Sequence, residues 1–166
     1  MNYSNEDAAL CARCGGDCCL TRPGIEEPER FTLMPDPVAA LSAGLASGAL
    51  TIEVHYGKPY TPGITTPEPG CIIYYPRPSR YCECTVAPPD GVPADACHHL
   101  TTTGCRLPFE QRPRACRALT PQTDFNCQSD WGRREAALAW FTHQDLILAA
   151  IAIAGSTPHI TGTKEL

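Results

Sequence analysis

The stretch Cys11-Ala-Arg-Cys14-Gly-Gly-Asp-Cys18-Cys19 places four thiols in one short segment near the start of the chain. Two cysteines separated by two residues can turn both sulfurs toward one metal ion without strain. The Gly-Gly step permits positive φ where the loop doubles back, and it lets backbone amides face the sulfurs. Cys-x-x-Cys alone is also typical of a redox dithiol, but the additional Cys18–Cys19 pair favours metal binding. Thiolates are soft ligands, so the motif predicts zinc or iron–sulfur iron rather than magnesium or calcium.

A second cysteine-rich stretch, residues 97–121, reads C-H-H-L-T-T-T-G-C-R-L-P-F-E-Q-R-P-R-A-C-R-A-L-T-P. Its three cysteines can complete the coordination that the first motif begins, since four ligands satisfy a tetrahedral zinc ion or a 4Fe-4S cluster. We therefore expect the two motifs to meet in space. Adjacent cysteines point in different directions in an extended chain, so Cys18 and Cys19 either serve two centres or one of them only packs. The predicted metal ligands are Cys11, Cys14, Cys18, Cys19, Cys97, Cys105 and Cys116.

The other cysteines lie outside the two cysteine-rich motifs. Cys82 and Cys84 straddle one residue of a predicted strand, and alternation would put both sulfurs on one face. That arrangement suits a second metal site or plain packing. Cys71 and Cys127 are isolated in the sequence, and we interpret each as a buried thiol.

Histidine and arginine side chains flank the second motif. His98 and His99 follow Cys97 directly and are the best histidine candidates for ligands, although most histidines are not ligands. Arg112, Arg114 and Arg117 surround Cys116, and positive neighbours favour thiolate over thiol. The alternative is that these arginines are ordinary surface side chains.

Composition indicates a loop-rich fold that needs support beyond apolar packing. The 166 residues include 13 glycines and 17 prolines, whereas aromatic residues make up only 7%. A chain of this length favours one domain, which we place at residues 1–155, with a flexible tail at 156–166. Eleven cysteines can supply the missing support if they bind metal.

The sequence pattern predicts only a few helices and strands. Asp36 is a plausible N-cap and Gly48 a stop for a helix that buries Val38, Leu41 and Leu45. Leu50–Tyr56 and residues 71–75 and 81–86 read as three short strands. Residues 133–154 predict a helix in which Trp140, Ile147, Ile151 and Ala154 share a face that packs in the core. The sequence thus predicts an α+β fold: a small, loop-rich, metal-stabilised domain with a short antiparallel sheet and a C-terminal helix.

Compartment and partners follow from charge and cysteine usage. Residues 1–10 lack a basic n-region and an apolar h-region, and an odd number of cysteines does not suit a complete set of disulfides. Dense cysteine in a reducing compartment indicates metal binding, so we expect a cytoplasmic protein. The net charge of −5 argues against nucleic acid as a partner. The longest apolar run, 146–154, is too short to span a membrane, so we expect no membrane association.

In two stretches the chain resembles the CxxCxxCC cysteine-cluster proteins (YkgJ-like), a family described as zinc- or iron-chelating. Three residues separate Cys14 from Cys18, where the family name has two. The resemblance implies chelation by the matched cysteines without fixing the metal, and it allows an accessory module beside methyl-transfer or redox chemistry. The matching residues are Cys11-x-x-Cys14, Gly15-Gly16, Cys18-Cys19, Cys97, Gly104-Cys105 and Arg112-Pro113-x-x-Cys116-Arg117, followed by Pro121.

Three functions remain open from the sequence. The first is a metal-dependent structural or accessory module, whose surface serves an unknown protein partner or delivers the metal. The second is an iron–sulfur or metal-dependent redox enzyme with an unknown substrate. The third is a thiol–disulfide exchanger built on Cys11 and Cys14, but the βαβ context of such a motif is missing. No phosphate loop, dinucleotide fingerprint or H-E-x-x-H motif occurs, so the sequence favours the module.

Overall fold

The computed structural model describes residues 9, 13–21, 24–56, 72–124 and 127–155. Cys11, Cys71 and the expected tail at 156–166 lie outside these residues. The helices and strands of the described chain are, in order, α1 (Asp17–Thr21), α2 (Glu29–Thr32), α3 (Pro37–Ala46), β1 (Leu50–Tyr56), β2 (Ile72–Pro78), β3 (Leu100–Thr101), β4 (Gly104–Cys105), α4 (Arg114–Arg117), β5 (Leu119–Thr120), β6 (Gln128–Ser129), α5 (Arg133–Trp140) and α6 (Gln144–Ala154). Short 3-10 turns cover Tyr81–Glu83, Phe109–Gln111 and Phe141–His143.

Helix α3 forms where its local residues predict it. The Asp36 carboxylate accepts a 2.9 Å hydrogen bond from the Ala39 amide, and Pro37 occupies the first helical position. Gly48, just beyond the helix, has φ of 72°, which an L side chain rarely adopts. Leu41 and Leu45 are buried and face the core. The cap and the stop are both set by neighbours in sequence, so this helix is confirmed.

The main sheet is an antiparallel hairpin of β1 and β2, in register from Leu50 opposite Pro78 to Tyr56 opposite Ile72. Ile52, Ile73 and Tyr75 are buried within it. Helix α3 packs against α6, and α5 packs against both strands. These elements enclose the larger hydrophobic core, whose buried residues are Ile25, Phe31, Leu41, Leu45, Ile52, Ile73, Tyr75, Trp131, Ala136, Ala137, Trp140, Ile147 and Ala150.

The expected C-terminal helix is two helices. Between α5 and α6 the chain tightens into a 3-10 turn, and His143 leaves helical geometry with ψ of 21°. The Gln144 amide exchanges two hydrogen bonds with the backbone of Tyr74 in β2 and donates a third to the Trp140 carbonyl. This side chain ties the turn to the hairpin, which gives a reason for the interruption. Trp140 and Ile147 are buried as expected, whereas Ile151 and Ala154 are half-buried.

Segment Arg133–Ala154 is long and apolar enough to cross a membrane, with a mean hydropathy of 1.5 over its most apolar window. Length and composition are weak indicators for one such segment, because the core helix of a soluble protein has them as well. Only 28% of that window is buried inside the protein. Its buried face, including Trp140 and Ile147, belongs to the larger core.

A buried ion network joins the hairpin to the segment that follows it. Arg77 is 2% exposed and donates to both Glu53 (2.9 Å) and Glu83 (2.8 Å). Burial alone would lower the pKa of Arg77, but its bonds to Glu83 and Glu53 outweigh that effect and raise it. Glu83 also accepts the backbone N–H of Arg80. The carboxylate therefore holds the chain after β2 in a tight turn.

That turn corrects the strand predicted at residues 81–86. Tyr81–Glu83 is a 3-10 turn, and each sheet within the described residues has two strands, β1–β2, β3–β4 or β5–β6. The α+β class and the short antiparallel sheet are confirmed. A smaller core lies beyond the turn, and its buried members are Cys19, Tyr81, Ala96, Cys97 and Leu100.

Candidate thiol site

Cysteines from separate parts of the chain surround one cavity of about 220 Å³, which we call the thiol cavity. Cys97 is not among the residues that line the cavity, but its sulfur is hydrogen-bonded to that of Cys19, which does line it. The two motifs expected to meet therefore do so, with Cys11 outside the described residues. The cysteines that line the cavity are Cys14, Cys18, Cys19, Cys105, Cys116 and Cys127.

The first motif turns on its two glycines as expected. Gly15 and Gly16 have φ of 64° and 84°, and the chain then enters α1. The Cys19 amide donates a 2.8 Å hydrogen bond to the Gly16 carbonyl, which closes the turn. A Cβ on Gly16 would overlap Leu100 Cδ1, so the turn also packs directly on the second motif. Cys18 and Cys19 consequently lie on a helical turn, and the assumption of an extended chain at this pair is wrong.

Cys19 is the hub of the sulfur contacts. Hydrogen bonds with the sulfurs of Cys105, Cys18 and Cys97, together with burial, raise its pKa far above the ordinary value. Its backbone carbonyl also accepts the Cys97 amide at 2.9 Å, which fixes the second motif against the first. One buried sulfur thus touches three others, from α1, from the start of the second motif and from β4.

The thiols of Cys18 and Cys97 have lowered pKa values, in contrast to that of Cys19. The hydrogen bond from Cys19 lowers the pKa of each thiol, which favours its thiolate. Backbone amides add to the effect: those of Cys18 and Cys19 stabilise the Cys18 sulfur, and that of His99 stabilises Cys97. Amide hydrogen bonds to sulfur are the means by which proteins tune thiolate–metal centres.

Cys116 lies in α4 and lines the cavity. Burial and then the charge of Cys18 raise the pKa of its thiol well above the ordinary value. Gly24 lies directly against it, because a Cβ there would overlap the Cys116 sulfur and come within 2.9 Å of Pro113 Cβ. The position of the Cys116 sulfur therefore depends on glycine at residue 24.

Cys127 was interpreted from the sequence as an isolated buried thiol, and its position at the cavity was not predicted. Strand β5 follows α4 and pairs with β6, with Thr120 opposite Gln128, so the residue before β6 returns to the cavity. Cys127 is half-buried and lines the cavity with the matched cysteines. Neither its spacing nor its neighbours indicated this position, since the two-residue ladder has no recognisable pattern.

The remaining candidates lie elsewhere. Cys82 is exposed, and the Cys84 thiol contacts the carbonyls of Tyr81 and Val86. Neither residue is among the described residues that line the thiol cavity. The shared strand face proposed for them is wrong, because Tyr81–Glu83 is a 3-10 turn.

The rings of His98 and His99 contact each other, with centroids 3.9 Å apart and planes tilted by 49°, and neither residue is among the described residues lining the cavity. His98 Nδ1 lies 2.9 Å from the Ser79 carbonyl, so this nitrogen donates. Arg106 Nε donates to His99 Nδ1 at 3.2 Å, which places the neutral His99 proton on Nε2. Burial lowers the pKa of His99 to about 3 and also lowers that of His98, so both rings are neutral near pH 7.

Of the three arginines near Cys116, one lines the cavity. Arg112 borders it and donates to the Leu107 carbonyl at 3.0 Å. Arg114 lies over the Trp131 ring, 5.2 Å from its centroid, and Arg117 forms an ion pair with Glu27. Of these three arginines Arg112 alone borders the cavity, whereas the arginine whose charge lowers the pKa of Cys97 is the buried Arg77.

The donor set has the chemistry of a soft-metal site. Thiols contact one another here, and a bound metal ion would replace their protons with metal–sulfur bonds. In the described part of the chain, no group of three or more His, Cys, Asp and Glu side chains is already arranged to hold a metal ion. The sulfurs instead share hydrogen bonds, so binding would require them to adjust.

Comparisons of the whole chain with protein-family models, curated proteins and solved structures return no match.

Proposed function

We propose that this protein binds a soft metal, as zinc, iron or an iron–sulfur cluster, through the cysteines of the thiol cavity. The observation that carries the proposal is the hub at Cys19, whose buried sulfur contacts those of Cys18, Cys97 and Cys105. Cys19 and the three thiols that it contacts supply the number of donors that a tetrahedral zinc ion or a 4Fe-4S cluster needs. The motif resemblance to the cysteine-cluster proteins points in the same direction.

The biological role that we propose is a metal-dependent structural or accessory module. The metal would join the first and second motifs, which otherwise meet through a small core of five buried residues. We place the protein in a reducing compartment such as the cytoplasm, since none of the nine cysteines that the structure describes forms a disulfide bond.

A redox enzyme is the second candidate. The amide hydrogen bonds to the sulfurs of Cys18 and Cys97 favour it, because such bonds tune the reduction potential of iron–sulfur clusters. Metal content and the visible absorption spectrum distinguish the redox enzyme from the structural module. Iron with acid-labile sulfide and a visible absorption band supports a cluster, whereas colourless protein with zinc supports the structural module.

The test is elemental analysis of protein purified without oxygen, compared between two cysteine variants. Cys19→Ser should lose most of the bound metal, because a largely protonated hydroxyl is a poor substitute for a soft thiolate. Cys82→Ser is the matched control, since Cys82 is exposed and lies outside the described lining of the cavity. Wild-type protein that contains neither zinc nor iron, even after reconstitution, would refute the proposal.

A further inference from the structure

Helices α5 and α6 leave one apolar face exposed. Leu138, Phe141 and Leu148 on this face are 48%, 39% and 49% exposed. The opposite side of the two helices, which includes Trp140 and Ile147, is buried in the larger core. Single exposed apolar side chains are ordinary in soluble proteins, whereas a row of them along one face indicates an interaction surface.

The exposed side chains recur at the spacing of a helix-packing seam. Successive members lie alternately four and three residues apart, as the a and d positions of a heptad do. The 3-10 turn at Phe141–His143 does not interrupt this face, because the buried Trp140 and Ile147 on either side of it are seven residues apart. The members, which we call the exposed stripe, are Arg134, Leu138, Phe141, Asp145, Leu148 and Ala152.

The two charges of the stripe match a second copy of the same stripe placed antiparallel to it. A two-fold axis can set Leu138 of one copy opposite Phe141 of the other. The same axis sets Arg134 opposite Asp145, because both pairs are centred between residues 139 and 140. Two apolar pairs are then flanked by two pairs of opposite charge. The contact is self-complementary, as the interface of a two-fold dimer must be.

Other packings of the stripe against itself bring its charges into unfavourable positions. A parallel pair in register would set Asp145 against Asp145 and Arg134 against Arg134, and like charges in contact cost free energy. An antiparallel pair shifted by one turn would set Leu138 against Leu148. That shift would also set Asp145 against Phe141 and desolvate its carboxylate beside an aromatic ring. The first arrangement avoids both costs.

A lipid surface matches the stripe less well than a second copy does. Helices that lie on membranes carry Lys and Arg along their polar side, whereas residues 135–155 contain neither. The net charge of −5 opposes attraction to anionic lipids. The buried side of the two helices belongs to the larger core, so insertion across a bilayer would require that core to unfold.

We propose that this protein forms a two-fold symmetric dimer in solution through the exposed stripe, with the α5–α6 segments of the two chains antiparallel. Leu138 and Phe141 form the apolar centre of the interface, and Arg134 of each chain pairs with Asp145 of the other. No residue of the stripe is among the described residues that line the thiol cavity. The dimer therefore does not depend on bound metal.

Sedimentation velocity of the full chain, from low to high micromolar concentration, measures the dimer directly. Reducing conditions prevent disulfide bonds between chains through the exposed Cys82. Leu138→Gln should weaken dimerisation at least about tenfold, because both copies of this side chain leave the apolar centre. Leu33→Gln is the matched control and should leave the dimer unchanged, since Leu33 is also exposed but lies outside the stripe.

Charge reversal tests the antiparallel order. Arg134→Glu and Asp145→Arg should each weaken self-association about tenfold, because each creates two like-charge pairs per dimer. An equimolar mixture of the two variants should form mixed dimers about as tightly as wild type, since each introduced charge then meets its opposite. A parallel dimer in register contains like-charge pairs already in wild type, so neither reversal would weaken it.

The outcomes that contradict the proposal are distinct. Wild type that remains a monomer throughout would overturn it, and binding of that monomer to phosphatidylcholine vesicles would assign the stripe to a lipid surface instead. An equally tight dimer in Leu138→Gln would place the interface elsewhere, and reversals without effect would overturn the antiparallel order. Far-UV circular dichroism identifies a variant that has failed to fold, and Phe141→Gln then replaces Leu138→Gln. Metal content of the same samples reports separately on the proposed function.

Discussion

Removal of the proposed metal with a strong chelator, under reducing conditions, should loosen the two cores of this protein unequally. The larger core contains Trp140, Tyr75 and a set of aliphatic side chains from the hairpin and helices. The smaller core has five buried residues, of which Cys19 and Cys97 are themselves proposed ligands. Apart from its cysteines, the smaller core is packed by Tyr81, Ala96 and Leu100, with Leu20 and Val92 against them.

The expected magnitude follows from linkage between binding and folding. Metal at about a hundred times its Kd stabilises the folded form by about 2.7 kcal/mol, which is a hundredfold in the opening equilibrium. Full burial of one leucine side chain such as Leu100 contributes roughly 1.5–3 kcal/mol. Binding of the proposed metal would therefore stabilise the smaller core about as much as burial of Leu100 does. Loss of the metal should then permit local opening of that core.

Hydrogen exchange read by mass spectrometry tests this directly. The Cys97 and Leu100 amides, which donate to the carbonyls of Cys19 and Cys97 at 2.9 Å, report on the smaller core. They should exchange about a hundred times faster after chelation. The amides that pair β1 with β2 should keep their protection. Equal acceleration in both regions, or none near Cys97 after elemental analysis confirms removal, would refute the reasoning.

Two further substitutions test the surroundings of the site. Gly24→Ala should lower the free energy of unfolding by about 1–3 kcal/mol in urea denaturation, because its Cβ would overlap the Cys116 sulfur. Gly132→Ala, whose Cβ would meet only Glu135 at 3.5 Å, should cost less, and equal losses would contradict the packing argument. Burial raises the pKa of Glu26 to about 7 despite its ion pair with Arg30 at 2.9 Å. A raised folded pKa means that the carboxyl stabilises the fold below about pH 4.5 and loses this contribution as pH rises through 7. Relative to Glu26→Gln, wild type should therefore lose about 3 kcal/mol of unfolding free energy over that range, and parallel pH profiles would exclude the effect.

Elements that are fixed by near neighbours could be predicted from the sequence. Helix α3 has its cap at Asp36 and its stop at Gly48, and both act within a few residues. The positive φ of Gly15 and Gly16 was predicted for the same reason. The meeting of Cys14, Cys18 and Cys19 with Cys105 and Cys116 was also predicted, because thiols with metal-ligand spacing indicate a shared site. Whether these cysteines bind metal stays a prediction.

Features that depend on contacts between distant segments could not be predicted. The alternating sequence pattern around Tyr81–Glu83 is typical of a strand. The segment is instead a turn, because the Glu83 carboxylate accepts hydrogen bonds from the Arg77 guanidinium and from the Arg80 amide. The break before α6 depends on Gln144, which binds the backbone of Tyr74. In each case a side chain satisfies polar groups that another segment brings into reach, and no local propensity carries that information.

The sequence by itself determined that thiols from two motifs would gather, since their residue type and spacing restrict what they can do. Only the tertiary structure decided which other thiols join them. Cys127 reaches the cavity through the two-residue pairing of β5 with β6, whereas Cys82 is left exposed. The physical reason is that a cysteine has the same intrinsic chemistry at every position. Its neighbours are set by backbone pairing and burial over the whole chain, and these depend on contacts far apart in sequence.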